Sequence, residues 1–250
     1  MTEASARAAE ARIRRRARLA AAIVALVVAP YAGSLAAELS ADEVRGRIDA
    51  AGDQVPDLAG LDLAGLDLAG VDFAGADLRG TVLKGANLEG ADLSEANLDL
   101  VVLRDANLKG ARLTGASAFQ TVFSGADLSG ADLSGADIVA KFERSDLRRA
   151  NLAGANLAAD MKNQPMGLMR AHLTKANLAG ANLAGAALAR CTAEFADFTG
   201  ANLAGADLSR CELAGADFTG ANIAGADFTE ADVRGAVFDP GAKELAIGLP

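Results

Sequence analysis

The sequence predicts an all-β solenoid of four-sided coils, and two periodicities predict it. From Leu58 onward, nearly every fifth residue is Leu, Phe, Ile or Val, with Asp or Asn just before it and Gly two residues after it. A period of five fits neither the 3.6 of a helix nor the 2 of a flat strand. The unusual triplets that begin at Thr81, Val101 and Thr121 recur at every fourth repeat, which indicates four repeats per coil.

Each five-residue repeat is predicted to form one short side of a coil. The Leu or Phe and the small residue two positions before it point inward, and the Asp or Asn points outward. The chain turns at the glycine, because glycine tolerates a positive φ. A single coil cannot bury its own apolar side chains, so the coils must stack. We expect about nine coils between residues 57 and 238.

Residues 126–135 contain two consecutive copies of the motif A(D/N)LxG. From residue 57 to about residue 238 the repeats of this motif resemble the pentapeptide-repeat family. The resemblance implies a right-handed quadrilateral parallel β-helix. It implies little about function, because members of the family bind different targets and a fold does not determine a function.

The register of the repeats changes twice. From Ile138 to Phe142 the step is four residues instead of five, and from Leu157 to Leu173 it is sixteen. Sixteen residues are one more than three repeats, so the lost residue is regained. This arithmetic predicts that Leu173 returns to the face of Phe73. The segment between, residues 158–170, is predicted to be a distorted side or a short loop.

The two ends of the repeat region differ. Residues 38–56 predict a short capping helix and a linker, with Ser40 and Glu43 as a capping box. We expect Val44 of this helix to lie over the first coil, because an open coil end needs a cap. Residues 239–250 form a C-terminal tail that is too short for a long helix.

Residues 1–37 have a different composition. Five Arg between residues 12 and 18 precede an apolar stretch, Leu19–Ala29, and a small-residue site at residues 34–36. This pattern is typical of a secretory signal peptide. The alternatives are an uncleaved membrane anchor, because residues 19–37 carry no charge and are just long enough to span a bilayer, and a cytosolic helix. A signal or an anchor would export the rod, either into the periplasm or extracellular space or onto the outer side of the cytoplasmic membrane.

The charge of the chain excludes some partners. The net charge is −9, and removal of residues 1–37, with six Arg and two Glu, would leave −13. Direct contact of the rod with nucleic acid is therefore not expected. The outward Asp residues either keep a repetitive surface soluble or imitate a DNA backbone. The resemblance implies the second reading for the quinolone-resistance branch, which binds DNA gyrase.

No catalytic or metal site is predicted. His172 is the single histidine and lies at an outward position of a repeat, without an organised nucleophile or carboxylate partner. Such an arrangement makes neither a catalytic triad nor an ordinary zinc site. The carboxylates are spaced by the repeat. We therefore predict a non-enzymatic protein without a cofactor.

The two cysteines, Cys191 and Cys211, occupy equivalent inward positions one coil apart. Export would expose them to oxidising conditions, which favour disulfides. Side chains in one column run parallel along the stack, however, and disulfide geometry is specific. We expect two buried free thiols.

Four apolar residues are candidates for contact with a protein partner. Val82, Val102 and Val122 stand where Asp or Asn belongs, and Leu100 stands at a neighbouring corner. A contiguous exposed apolar stripe indicates an interaction site. The alternative is that the three Val only stack favourably upon one another.

The irregular segment supplies the remaining candidates, Met161, Met166 and Met169. Flexible thioether side chains suit adaptable protein contacts. The alternatives are structural infill and, with His172 nearby, a site for Cu(I).

Two central positions hold Ala instead of a bulky residue, at Ala118 and Ala193. The neighbouring Phe119 and Phe195 are predicted to fill the lost core volume, because cavities reduce stability.

These observations favour an exported, non-enzymatic rod that binds or scaffolds a protein partner, with membrane anchoring through residues 19–37 as one alternative. The second function is a cytosolic, DNA-mimicking inhibitor or protector of DNA gyrase. The sequence leaves the oligomeric state open.

Overall fold

Four columns of parallel β-bridges make up the repeat region. The computed structural model describes residues 39–52, 54–158 and 170–250. All of them belong to one unit, Glu38–Pro250. Each side of a coil contributes a single bridged residue, and the described ranges contain no longer strand.

The bridges join each outward residue to the equivalent residue of the next coil and so define four faces. The first face consists of Asp57, Asp77, Asn97, Ser117, Asp137, Asn156, Ala187, Asp207, Asp227 and Ile247. The second face consists of Asp62, Val82, Val102, Val122, Lys141, His172, Thr192, Glu212 and Asp232. The third face consists of Asp67, Asn87, Asn107, Asp127, Asp146, Asn177, Asp197, Asp217 and Val237. The fourth face consists of Asp72, Asp92, Arg112, Asp132, Asn151, Asn182, Asn202 and Asn222.

Backbone hydrogen bonds hold successive coils together. The N–H of Leu83 donates to the carbonyl of Val102 at 2.8 Å, and the N–H of Val102 donates to the carbonyl of Thr81 at 3.0 Å. Each corner is closed by a turn, as where the N–H of Ala86 donates to the carbonyl of Leu83 at 3.1 Å. The nine bridged residues of the second face confirm the four-sided coil and the predicted number of coils.

The core is a continuous stack of the inward residues. Leu128 and Ala126, which represent the central and the small inward positions, are 0% and 1% exposed. Full burial of one Leu contributes about 1.5–3 kcal/mol relative to leaving it in water. The rings of Phe198 and Phe218 stack with centroids 4.8 Å apart, because equivalent side chains of neighbouring coils lie directly over one another.

The outward Asp and Asn have a local structural role. The Oδ1 atom accepts a hydrogen bond from the backbone N–H two residues later, as between Asp127 and Ser129 at 2.8 Å and between Asn182 and Ala184 at 3.3 Å. Such turns stabilise the corner. Because the turn uses a single oxygen, either Asp or Asn can form it.

Helix α1, Ala41–Ala51, precedes the first coil. The predicted capping box is present: the Ser40 hydroxyl accepts from the N–H of Glu43 at 3.3 Å, and the Ser40 N–H donates to the Glu43 carboxylate at 2.7 Å. Val44 is 0% exposed and packs against the core. The helix ends at Gly52, whose φ is +52°.

The shortened step between Ile138 and Phe142 is confirmed, because Val122 pairs with Lys141, which lies one residue short of four full repeats along the chain. The prediction for Leu173 was wrong. His172 pairs with Lys141 and with Thr192, so Leu173 belongs to the second face and not to the face of Phe73. Between Leu157 and Leu173 the chain advances by one side only. This step therefore contains one repeat and eleven additional residues, and most of the predicted irregular segment, residues 159–169, lies outside the described residues.

The C-terminal tail closes the last coil. It contains a 3-10 helix, Ala242–Glu244, and then returns so that Ile247 pairs with Asp227. The N–H of Ile247 donates to the carbonyl of Ala226 at 2.8 Å. Phe238 stacks on Phe218 with centroids 4.7 Å apart, which covers the end of the core.

The predicted leader, residues 1–37, lies outside the described residues. In the part of the chain that the structure describes, no helix is both long enough and apolar enough to cross a membrane.

Candidate protein-contact site on the second face

Val82, Val102 and Val122 form one continuous column on the second face, which we name the valine column. The three residues are bridged to one another in successive coils and are half-buried. They occupy the outward position, so their side chains make neither the Asx turn nor the polar ladder of the other faces. The predicted stacking is therefore present in the structure.

The corner between the first and the second face extends this apolar surface. Leu100 is 53% exposed, and its N–H donates to the carbonyl of Phe119 at 2.8 Å. Phe119 is half-buried, and its N–H donates to Oδ1 of Asp99 at 2.8 Å. We name the valine column together with Leu100 and Phe119 the valine patch.

The role predicted for Phe195 was wrong. Phe195 is 61% exposed, so it does not fill core volume beside Ala193. Its ring lies over Gly215, where an added Cβ would come within 2.6 Å of the ring. A side chain at residue 215 would displace this phenyl ring from the corner.

Backbone strain is concentrated along the two edges of the second face. Eleven described residues other than glycine have a positive φ, and nine of them stand at the two corners that flank this face. These nine are Leu100, Asp105, Gln120, Arg144, Lys175, Arg190, Phe195, Arg210 and Glu230. A left-handed conformation costs an L-residue about 1–2 kcal/mol. Glycine would avoid that cost at each corner, and strain of this kind clusters at functional sites.

Cationic side chains border the valine patch. Lys84 and Arg104 lie at the corner between the second and third faces, and Lys141 continues the valine column. Arg104 and Arg144 line a groove of about 510 Å³. Among the residues described, neither arginine forms an ion pair. The nearby Glu143 carboxylate accepts from the Ser124 hydroxyl at 2.7 Å.

The middle of the second face differs in charge from the first and third faces. Its bridged residues from Val82 to Thr192 include no carboxylate, whereas Asp recurs along the first and third faces. The whole chain has a net charge of −9. Asp105 and Glu143 line the same groove as Arg104 and Arg144, so the border contains both charges. The two arginines without an ion pair among the described residues favour carboxylates on a partner surface.

His172 lies farther along the same face. Its Nδ1 is 3.0 Å from the Thr192 hydroxyl. Burial lowers the pKa of the imidazole, and the neighbouring Arg170 and Lys141 add to this although Glu143 opposes it. The ring is therefore neutral near pH 7. The described residues contain no group of three or more His, Cys, Asp or Glu that could hold a metal ion.

Cys191 and Cys211 are buried and unbonded, as predicted. The reason given for that prediction was wrong, because their Sγ atoms lie 2.7 Å apart. The Cys211 thiol also donates to the carbonyl of Leu188 at 2.9 Å. Burial is the largest of several causes that raise the pKa of the Cys191 thiol well above its ordinary value, followed by the adjacent Cys211.

The remaining candidates, Met161, Met166 and Met169, fall among residues 159–169, outside the described residues. Their roles stay predictions. Sequence reasoning named Leu100 and Phe195 but did not identify the corner residues as a strained set. The signal was visible, because Leu100, Asp105 and Arg144 stand where the repeat has Gly. Their shared face became clear only from the bridge pattern.

Comparison with known proteins agrees with this architecture. Full-length QnrB1, a plasmid-mediated fluoroquinolone resistance protein, has 21% identity and a TM-score of 0.53 over 70% of this chain and 94% of its own. HetL, a pentapeptide repeat protein involved in heterocyst differentiation regulation from the cyanobacterium Nostoc sp. strain PCC 7120, has 30% identity over 84% of this chain and 95% of its own, with a TM-score of 0.38. The structural neighbours are right-handed β-helices.

No functionally curated protein matches the chain by sequence. The family model for pentapeptide repeats matches in eight copies, over residues 57–85, 82–117, 103–138, 168–203 and 201–239. These matches cover more than half of the 250 residues. The chain belongs to the pentapeptide-repeat family.

Proposed function

We propose that this protein is a non-enzymatic rod that binds a protein partner through the valine patch. The observation that carries the proposal is the concentration of left-handed, non-glycine residues along the edges of the second face. Larger side chains stand there although glycine would remove the strain. Arg210 and Glu230 have a role within the fold, because they form an ion pair with each other at 2.9 Å. At the corners beside the valine patch, we assign the side chains of Leu100 and Arg144 to contact with the partner.

The chemistry of the patch defines the partner. Leu100 and Phe119 offer apolar area beside the valine column, and burial of apolar area is the main favourable contribution in most protein associations. Arg104, Lys141 and Arg144 border this area and would pair with carboxylates. The matching surface is thus a cluster of apolar side chains bordered by Asp or Glu. An apolar centre with a charged border is the common anatomy of protein interfaces.

Export and the absence of catalysis are parts of the same proposal. Support for export comes from residues 1–37, in which an Arg-rich stretch precedes an apolar stretch. These residues would act either as a cleaved signal peptide or as an anchor that holds the rod at the outer side of the cytoplasmic membrane. Support for a non-enzymatic role is that His172, whose Nδ1 lies 3.0 Å from the Thr192 hydroxyl, has no carboxylate hydrogen-bonded to its ring among the described residues.

DNA gyrase as the target is the second candidate. Its support is the recurrence of Asp along the first and third faces and the fold shared with QnrB1, a fluoroquinolone resistance protein. The turns weaken this support, because carboxylates such as Asp127 and Asp197 accept backbone N–H bonds that stabilise the corners. A supercoiling assay with purified gyrase tests it, and no inhibition at micromolar concentrations of the rod would contradict it.

Site-directed photocrosslinking tests the valine patch. A photoreactive amino acid at Leu100 should capture a partner in cells, and the same amino acid at Ala187 on the first face should not. The captured protein is then purified, and its Kd is measured against two variants. Val102→Asp places a charge in the patch, whereas Ala187→Asp makes the same change at the equivalent outward position of another face.

We expect Val102→Asp to weaken binding at least tenfold, which corresponds to about 1.4 kcal/mol, while Ala187→Asp leaves the Kd unchanged. Both variants should fold, because Asp is a usual residue at this position and its Oδ1 can accept the N–H two residues later. Equal affinity of wild type and Val102→Asp would overturn the assignment of the patch. Fractionation tests export separately, and a rod found only in the cytosol with its leader intact would contradict it.

A further inference from the structure

Cys191 and Cys211 belong to a single inward column next to the second face. The N–H of Glu212 donates to the carbonyl of Cys191 at 2.9 Å, which fixes the two cysteines in register in adjacent coils. Adjacent parallel strands are about 4.8 Å apart, within the Cα separation that disulfides require. The Sγ atoms lie 2.7 Å apart. A small movement of either side chain therefore brings the sulfur atoms to bonding distance.

The surroundings tolerate loss of the thiol hydrogens. Cys211 donates its S–H to the carbonyl of Leu188. The same carbonyl accepts the backbone N–H of Cys191 at 2.9 Å. Oxidation therefore leaves no buried carbonyl without a partner, which would otherwise be costly. Ala171 and Ala231 neighbour the pair in this column, so the space suits small side chains.

We propose that Cys191 and Cys211 are a built-in cross-linking site, at which an intramolecular disulfide joins two adjacent coils when the chain folds in the presence of a disulfide oxidant. The proposal does not depend on the function of the valine patch, because the sulfur atoms are buried and take no part in that surface.

The reaction is a thiol–disulfide exchange. The thiolate of one cysteine attacks a sulfur atom of the oxidant, which is glutathione disulfide or a protein disulfide, and releases the first thiolate of the oxidant. The thiolate of the second cysteine then attacks the mixed disulfide and releases the second. The two cysteines lose two protons and two electrons in total, and the oxidant disulfide gains the electrons and is reduced to two thiols.

The fold restricts when this reaction takes place. Cys191 and Cys211 are 0% and 1% exposed, so an oxidant does not reach them in the closed stack. Burial also opposes formation of the reactive thiolate. The cross-link must therefore form while the C-terminal coils are open, during folding or after transient opening. Once the stack has closed, the bond is protected from reductants in the same way.

The consequence is a covalent restraint within the C-terminal half of the rod. In a solenoid each coil contacts only its neighbours, so coils can separate locally from an end. A bond between Cys191 and Cys211 closes a loop that is one full coil long and prevents separation of the two coils. We expect a redox-dependent rise in the thermal stability of the rod.

Refolding of the full-length chain tests the proposal. The protein is unfolded in denaturant and reductant, and then refolded with a glutathione disulfide and glutathione mixture or with reductant alone. We expect the first sample to lose both titratable thiols and to yield one peptide containing the Cys191–Cys211 link. Its Tm should be higher by about 3 °C or more, and reduction after unfolding should abolish the difference.

The matched control is the double variant Cys191→Ala, Cys211→Ala, which places the residue of the neighbouring column positions at both sites. It should fold and show no redox-dependent Tm. Two free thiols in the monomer after oxidative refolding, or a link only between two molecules, would overturn the proposal. A cross-link that leaves the Tm unchanged would contradict the restraint on the coils.

Discussion

The phenyl ring of Phe142 stacks on that of Phe123, with centroids 4.8 Å apart and planes inclined by 2°. The stack lies where the chain loses one residue of its register, because Val122 pairs with Lys141 one residue before four repeats are complete. Both rings are 0% exposed and lie directly inside the border between the valine column and Lys141. The contact keeps the second face continuous across the shortened coil.

Replacement of Phe142 tests this role. Phe142→Ala should lower the free energy of unfolding by about 3–5 kcal/mol, because a cavity opens in a fully buried column. Phe142→Leu should cost less than about 1.5 kcal/mol if the neighbours repack, since Leu is the usual central residue of a repeat. Denaturant unfolding followed by circular dichroism measures both. Equal loss in the two variants would show that ring stacking, and not filled volume, stabilises this coil.

The outward Asp and Asn provide a second test. Oδ1 of Asp127 accepts the N–H of Ser129 at 2.8 Å. Asp127→Asn keeps this acceptor and should change stability by less than about 0.5 kcal/mol. Asp127→Ala removes it from a corner turn and should cost about 1 kcal/mol. Urea unfolding of the two variants beside wild type distinguishes them, and similar losses would mean that the carboxylate charge matters more than the turn.

The register of the repeats explains what the sequence could predict. The five-residue period and the recurrence of unusual residues at every fourth repeat predicted four sides and about nine coils, because every side uses the same inward residues. The same uniformity made the position of Leu173 ambiguous. The sixteen residues from Leu157 to Leu173 can be divided into three repeats and one residue or into one repeat and eleven residues. A central Leu fits any of the four faces, so the sequence does not distinguish the two divisions. Only the pairing of His172 with Lys141 decides between them.

The sequence predicted the valine column of the candidate site but not the exposed corner residue Phe195. The valine column follows from three Val that stand at the same position of every fourth repeat, and the structure places them together. The exposure of Phe195 was not predictable from its neighbour Ala193, because a corner side chain can point along the edge instead of into the core. The β-bridge between Ile247 and Asp227 was also not predictable, since residues 239–250 carry no repeat.

Acid should weaken the last coil through Asp232. Hydrogen bonds from the Arg234 side chain and then its N–H lower the pKa of Asp232 from 3.8 to about 2. The unfolded chain therefore binds this proton more readily than the folded one. The stabilisation is complete above the unfolded pKa and is lost as the pH falls through the folded pKa. We expect the Tm difference between wild type and Asp232→Asn to be constant above about pH 5, to decrease steeply towards pH 2 and to vanish near pH 1.

Asp232→Asn is a suitable reference, because its Oδ1 can still accept the N–H of Arg234, which lies 3.2 Å from Oδ1 of Asp232 in the wild type. The variant thus removes the charge and keeps the turn. A Tm difference that does not change between pH 5 and pH 2 would show that the ion pair with Arg234 does not stabilise the coil. The measurement is a series of thermal scans at constant ionic strength, because salt screens exposed ion pairs.

Substitution of Leu100 tests whether the strained corner side chains serve partner binding rather than folding. Its φ is +64°, and 53% of the residue is exposed. Leu100→Gly should relieve about 1–2 kcal/mol of left-handed strain and lose about 0.5–1 kcal/mol through the greater freedom of glycine in the unfolded chain. The free energy of unfolding should therefore rise by about 0.5–1 kcal/mol, as measured by denaturant unfolding.

Leu100→Ala is the control, because alanine keeps the strained backbone and removes most of the side chain. It should not stabilise the protein. Both variants should bind the partner captured at the valine patch more weakly than wild type, so that Leu100→Gly becomes more stable and less able to bind. If Leu100→Gly lowered stability instead, the Leu100 side chain would contribute to the packing of the coil, and the corner strain would no longer indicate an interaction surface.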